Sequence, residues 1–140
     1  RVLVAVDLKG DDEAIEKDVV TLARRWGVLD RLLFIGRAIR HPDVRRRLRK
    51  AARETHVACL ANSREQLEAA IADEDSDWVY ARFVPNRTEV SAVHQAGKRV
   101  FLAGPSVAGR QLDNWRTSAT ARVDAILTDF PLELRTAVQK

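Results

Sequence analysis

Val2-Leu3-Val4-Ala5-Val6-Asp7-Leu8-Lys9-Gly10, followed at once by Asp11-Asp12 and a helical stretch reaching Trp26, is the part of the chain on which the fold turns. The run is apolar until it delivers a carboxylate and an ammonium two residues apart. Successive strand side chains point to opposite faces, so Asp7 and Lys9 share a face with Leu3 and Ala5, while Val2, Val4, Val6 and Leu8 line the other. In parallel β/α proteins the carboxyl ends of the strands carry the ligand site, and an acid plus a lysine there suits a phosphate held beside a divalent metal. A plain strand-end ion pair accounts for the same residues equally well.

The pattern of this stretch repeats along the chain. Strand-like runs fall near residues 2–8, 32–36, 56–60, 78–83, 99–103 and 124–128, with helical stretches near 11–26, 42–54, 63–72, 87–97, 110–121 and 131–138. Asp11-Asp12 and Pro42-Asp43 open two of these helices, Ser63 with Gln66 has the spacing of a capping box, and Gly97 ends a fourth. In the first helix Ile15, Val19, Leu22 and Trp26 recur at helical spacing, which predicts one apolar stripe laid on the sheet. Strict alternation implies right-handed crossovers and a parallel sheet, hence an α/β fold. Two architectures satisfy it: an open doubly wound sheet, or part of a (β/α) barrel.

With 140 residues, 46% of them apolar, the chain suffices for one core and so for one domain, 1–140. It has no apolar stretch long enough to span a bilayer and no basic-then-apolar leader. Cys59 is the single cysteine, which excludes an internal disulfide, and its setting Val57-Ala58-Cys59-Leu60 predicts a core residue. The chain starts inside a strand and contains no methionine, as an excised or processed piece would.

No glycine-rich dinucleotide fingerprint or P-loop follows any strand; Gly104-Pro105-Ser106-Val107-Ala108-Gly109 comes nearest and lacks the spacing. The strand ends instead offer Gly36-Arg37, Asn62, Arg82, Gly104 and Thr128-Asp129, a largely cationic set once Lys9 is counted. Of the histidines, His94 falls mid-helix and His56 enters its strand from the amino end, so both read as structural; His41 lies in a loop after a strand and reads as a helix-start residue. Arg45, Arg46, Arg47, Arg49, Lys50 and Arg53 on one helix, in a chain of net charge +4, allow a rival reading: a non-catalytic phosphate- or nucleic-acid-binding domain using helix 42–54. These charges run round the helix beside a narrow stripe of Val44, Leu48, Ala51 and Ala52, with no aromatic interleaving for base stacking, so no nucleic acid partner is expected.

Arg122-Val123-Asp124-Ala125-Ile126-Leu127-Thr128-Asp129-Phe130-Pro131 closely resembles the closing strand of the glycerophosphodiester phosphodiesterases, with its G-V-D-x-I-x-T-D-x-P pattern. Asp7-Leu8-Lys9 fits that family's acid-x-Lys element on the third barrel strand, and Val93-His94-Gln95-Ala96-Gly97-Lys98-Arg99-Val100 its passage into the seventh. The resemblance covers essentially the whole chain and implies a partial (β/α)8 TIM barrel, the last six of eight βα units. It further implies a hydrolase of lipid and glycerol metabolism that cleaves small glycerophosphodiesters to an alcohol and glycerol 3-phosphate with a divalent metal, magnesium or calcium. Asp7 is then a metal ligand, Lys9 the catalytic and substrate-binding charge on the phosphate oxygens, and Arg82 a second phosphate contact. Several features depart from the family pattern. The first-strand His-Arg and second-strand Glu-x-Asp elements have no counterpart, Asp7 stands where Glu is usual, Arg122 replaces a Gly, and Val100-Phe101-Leu102-Ala103-Gly104 lacks the usual Trp-Thr, with Trp115 as a candidate aromatic wall or core residue. Missing units would leave parallel edges unpaired at residues 2–8 and 124–128, an opening for homo-oligomers, and would take most of the metal shell with them, so the piece is expected to be inactive alone.

Overall fold

The computed structural model describes residues 3–139; Arg1, Lys140 and Val2, counted above in the first strand, lie outside the described residues. Six strands alternate with helices: β1 (Val4–Leu8), α1 (Ala14–Arg25), β2 (Leu32–Gly36), α2 (Arg37–Arg40), α3 (Pro42–Ala51), β3 (His56–Ala61), α4 (Leu67–Ala72), β4 (Trp78–Ala81), α5 (Arg87–Gln95), β5 (Arg99–Leu102), α6 (Leu112–Ala121), β6 (Ala125–Ile126) and α7 (Pro131–Val138). Their order in the sheet is β1-β2-β3-β4-β5-β6. The pairs β1/β2, β2/β3, β4/β5 and β5/β6 are parallel. A doubly wound sheet reverses the direction in which strands are added; here each strand joins beside its predecessor throughout, which is the order of a (β/α)8 barrel over six of its units. No helix among the described residues is long and apolar enough to cross a membrane.

The chain divides into two compact units. One runs to Cys59 and takes in Glu74–Asp77; the other comprises Leu60–Asp73 and the chain from Trp78 onward.

In the first unit the strand parity is as read from the sequence. Leu8, Phe34 and Val57 join Val20, Ala23, Leu29, Ala38, Val44, Leu48 and Ala52 in one apolar cluster, with Val6 packed against it. Asp7, of opposite parity to Val6 and Leu8, pairs in register with Ile35 and faces away from that cluster. The stripe predicted for the first helix holds at Ile15 and Val19, which pack against this cluster, and is corrected at Leu22 and Trp26, which are exposed, Trp26 at 72%, while Glu16, Val20 and Ala23 are buried. The polar label of Glu16 hid its place on the inward face, where Arg47 from α3 meets its carboxylate at 3.0 Å.

The arginines of α3 are mostly internal struts. Arg45 is buried and donates to the carbonyls of Ala38 (2.8 Å) and Ile39 (3.4 Å), closing the end of α2. Arg47 also pairs with Asp43 at 2.9 Å. Arg49 reaches Asp77 at 3.1 Å and donates to the carbonyls of Asp75 and Arg53. Cationic side chains chosen for their reach explain why so polar a helix docks through Val44 and Leu48, both fully buried.

In the second unit β4 and β5 are buried on both faces: Trp78, Val79 and Ala81, then Val100, Phe101 and Leu102. Trp115 is fully buried, a core residue and not an exposed wall. The capping box expected at Ser63 is absent. Gln66 instead accepts from the Asn62 N–H at 2.8 Å, and residues Arg64–Gln66 form a 3-10 turn. A true capping box lies at Asn86, whose side chain accepts from the Glu89 N–H (2.9 Å) while Glu89 accepts from the Asn86 N–H (2.6 Å). The Lys98 ammonium, almost wholly buried, donates to the carbonyls of Ala70 (3.1 Å) and Asp73 at the end of α4.

Candidate functional site

At the carboxyl end of β1 the Asp7 carboxylate lies 3.3 Å from the Lys9 ammonium, both exposed to solvent. The backbone places them: Val6 and Leu8 are drawn into the helix-side cluster, which turns the residue between them to the opposite face. Gly36, the last residue of β2, makes room for Asp7. It holds φ +73°, and a Cβ built there would fall 2.1 Å from Asp7 Oδ1 and 2.6 Å from the Leu8 carbonyl. Beside them Arg37 donates to the Gly10 carbonyl and pairs with Asp11 at 3.8 Å, tying the loop after β1 to the start of α2.

In the second unit the strand end of β4 repeats this device with a cation. Arg82 directly follows β4; its backbone N–H donates to the Ala61 carbonyl at 3.0 Å, and the Ala103 N–H donates to the Ala81 carbonyl at 2.9 Å. The Arg82 side chain crosses Gly104, where a Cβ would meet Nε at 2.8 Å, and its Nη1 donates to Asn62 Oδ1 at 3.3 Å. Asn62, Arg82 and Gly104, three of the strand-end residues noted in the sequence, thus meet. Thr128 is a turn residue whose hydroxyl accepts from the Phe130 N–H at 3.0 Å.

The histidines sit elsewhere. His56 Nδ1 is 2.6 Å from Asp77 Oδ2 at the amino end of β3, and His94 Nε2 is 2.8 Å from Asp124 Oδ2 at the amino end of β5. The same two carboxylates accept from the N–H groups of Val57 and Val100, each at 2.8 Å. These are fastenings between neighbouring strands, and the sequence reading missed the acids that make them. His41 caps the start of α3 with backbone alone.

A divalent ion of the magnesium or calcium type takes six or more oxygen ligands, usually with two or more carboxylates among them. Among the described residues no three His, Cys, Asp or Glu side chains gather in a way that could hold a metal. Asp7 faces an ammonium instead of a second acid. The donors present therefore do not by themselves make a metal site.

The strand order and the charged strand ends define an α/β protein of the (β/α)8 barrel class. No family model matches the chain, and no curated protein matches it in sequence. Among solved structures it shares its fold with a glycerophosphodiester phosphodiesterase from Agrobacterium tumefaciens, at TM-score 0.76 and 18% identity, covering 99% of this chain and 56% of that one. It matches a protein described as a glycerophosphoryl diester phosphodiesterase from Silicibacter pomeroyi at TM-score 0.74 and 19% identity, covering 98% and 50%. A truncated 3-deoxy-D-arabino-heptulosonate 7-phosphate synthase from Thermotoga maritima matches at TM-score 0.57 and 16% identity over 91% of this chain and 50% of that one. The chain therefore has the glycerophosphodiester phosphodiesterase fold and spans about half the length of the structures it matches.

Proposed function

We propose that this chain is the larger part of the catalytic barrel of a phosphodiesterase acting on small glycerophosphodiesters, releasing an alcohol and glycerol 3-phosphate. The observation that carries the reading is the Asp7–Lys9 pair, held at a strand's carboxyl end on the face turned away from the helices, over a glycine that admits the carboxylate. Lys9 neutralises a phosphoryl oxygen and stabilises the charge that builds as the alcohol leaves. Asp7 orients that ammonium. Arg82, in the second unit, is a further contact for phosphate oxygens. A magnesium or calcium ion enters this reading only as a demand on the rest of the protein: Asp7 offers one oxygen ligand, and the others have to come from outside this chain's described residues.

The test is hydrolysis of glycerophosphocholine. The chain alone is expected to turn over little substrate, and a protein that includes the two preceding βα units to turn it over in the presence of magnesium or calcium. In that protein Lys9→Ala and Asp7→Asn are each expected to lower kcat by about 100-fold or more, the range of losing one charge stabiliser. Unchanged turnover in both variants defeats the assignment.

A further inference from the structure

We infer that Arg82, Asn62 and Gly104 form a preorganised oxyanion subsite that takes a phosphoryl group, which deepens the reading above by naming what Arg82 binds while resting on the second unit alone. The first line of argument is electrostatic. The arginines of α3 that turn inward spend their charge on carboxylates or helix-end carbonyls. Arg82 does not: among the described residues its side chain has no carboxylate within ion-pair distance, and it donates to the neutral amide of Asn62. A half-buried guanidinium with a neutral neighbour is a charge waiting for an anion.

The second line is geometric. Arg82 is fixed at its backbone by hydrogen bonds on both sides, to Ala61 and through Ala81 to Ala103. Its side chain is aligned along the groove left by Gly104, whose own loop is closed by the N–H groups of Val107 and Ala108 donating to the Gly104 carbonyl, each at 3.1 Å. Asn114 ties that loop down through its amide, which donates to the Ser106 carbonyl at 2.6 Å. The device matches Asp7 over Gly36: in each unit a charged strand-end side chain occupies the space of a missing Cβ at the end of the next strand.

The third line is the donor set. With Asn62 Oδ1 accepting from Arg82, the Asn62 Nδ2 amino group is the donor end of an exposed side chain. Guanidinium N–H groups and an amide N–H together supply donors suited to the tetrahedral oxygens of a phosphate, the acceptor beside them, Asn62 Oδ1, being engaged by Arg82.

The experiment is a titration of the full chain with inorganic phosphate and, separately, with glycerol 3-phosphate, followed through the Arg82 Nε–H and Asn62 Nδ2–H resonances. Saturable shifts at both groups are expected, with acetate binding at least tenfold more weakly. Arg82→Gln is expected to weaken phosphate binding tenfold or more and Asn62→Leu by a smaller factor, whereas Arg87→Gln, an exposed arginine nearby in sequence, leaves it within twofold. Equal losses in Arg82→Gln and Arg87→Gln mean diffuse attraction and overturn the inference, as does acetate binding as tightly as phosphate. Free phosphate saturating as well as glycerol 3-phosphate assigns the group to the phosphoryl oxygens alone; tighter glycerol 3-phosphate binding assigns it to the product ester. Because the readout is binding at these nuclei, a failed hydrolysis test at Asp7 and Lys9 leaves it untouched.

Discussion

Gly36 and Asp7 are in such close approach that a single methyl group on Gly36 would occupy the place of the Asp7 carboxylate oxygen, 2.1 Å away. The backbone there is also left-handed, at φ +73°. Two effects therefore act on Gly36→Ala, strain and displacement, and Gly97 separates them: it holds φ +74° with nothing within 4 Å of a would-be Cβ. Gly97→Ala is expected to lower stability by about 1 kcal/mol from backbone strain alone. Gly36→Ala adds a clash with Asp7 and with the Leu8 backbone, so its loss is expected to exceed that of Gly97→Ala by at least ~1 kcal/mol. Urea unfolding of both variants measures the difference, and equal losses would show that Asp7 moves aside freely.

The Glu16–Arg47 pair ties α1 to α3. Glu16 is buried, its Oε2 has no hydrogen-bond partner, and Arg47 is its ion-pair partner at 3.0 Å. The hydrogen bond that Arg47 donates to the Glu16 carboxylate raises the Arg47 pKa above its ordinary value, against the opposing effect of burial. Arg47→Leu strands a buried carboxylate and is expected to destabilise the chain by about 3 kcal/mol, the lower end for a broken buried pair because Arg47 keeps some exposure. Replacing both residues by leucine removes the stranded charge. The double variant is expected to be more stable than Arg47→Leu alone, a reversal that a double-mutant cycle reads directly.

Glu65 carries a pH dependence. A hydrogen bond from the Ser63 side chain, aided by its own backbone N–H and the charge of Arg64, holds its carboxyl below the ordinary range. A depressed carboxylate contributes stability that is present above its unfolded pKa and is lost as pH falls through the folded one. Ser63→Ala should therefore raise the Glu65 pKa toward the usual value, with the change confined to the acid range. A carboxyl-carbon NMR titration of the two forms checks it, and an unmoved Glu65 midpoint excludes the hydroxyl as the cause.

The alternation of strands and helices was legible because apolar runs of period two and stripes of period 3.6 are local properties. The choice between barrel and doubly wound sheet was not legible in that alternation, which both architectures share; it came from the motif resemblance at residues 122–131 and at Asp7-Leu8-Lys9, and the strand order bears it out. Asp7 and Lys9 could be placed on one face by parity, but the role of Gly36 could not: a strand-end glycine acquires meaning only through the side chain of the neighbouring strand. The inward face of α1 was legible at Ile15 and Val19 but not at Glu16, which counts as polar in any hydrophobicity pattern and is buried only because of its partner 31 residues away. Asn86-Arg87-Thr88-Glu89 carries a readable capping-box spacing that the sequence reading passed over in favour of Ser63. The acids before β4 and β6 were within reach too, as an Asp immediately preceding an apolar run in Ser76-Asp77-Trp78-Val79 and Val123-Asp124-Ala125-Ile126.

Those two acids lead to a further prediction. Asp77 accepts from the Val57 N–H and meets His56, and Asp124 accepts from the Val100 N–H and meets His94, so in each case one carboxylate satisfies a buried strand N–H and orients an imidazole. Val57 and Val100 are both buried, and water cannot easily replace the lost acceptor. Asp77→Ala and Asp124→Ala are each expected to cost about 1–3 kcal/mol, the desolvation of an unsatisfied N–H. The isosteric Asn variants keep an oxygen for the N–H and should lose less. His56→Ala and His94→Ala remove only the half-exposed imidazole and should lose less again, because the carboxylate still holds the strand. Urea midpoints across the six variants order the contributions, and histidine variants as damaging as the alanine variants of the acids would locate the fastening in the ring and not in the backbone contact.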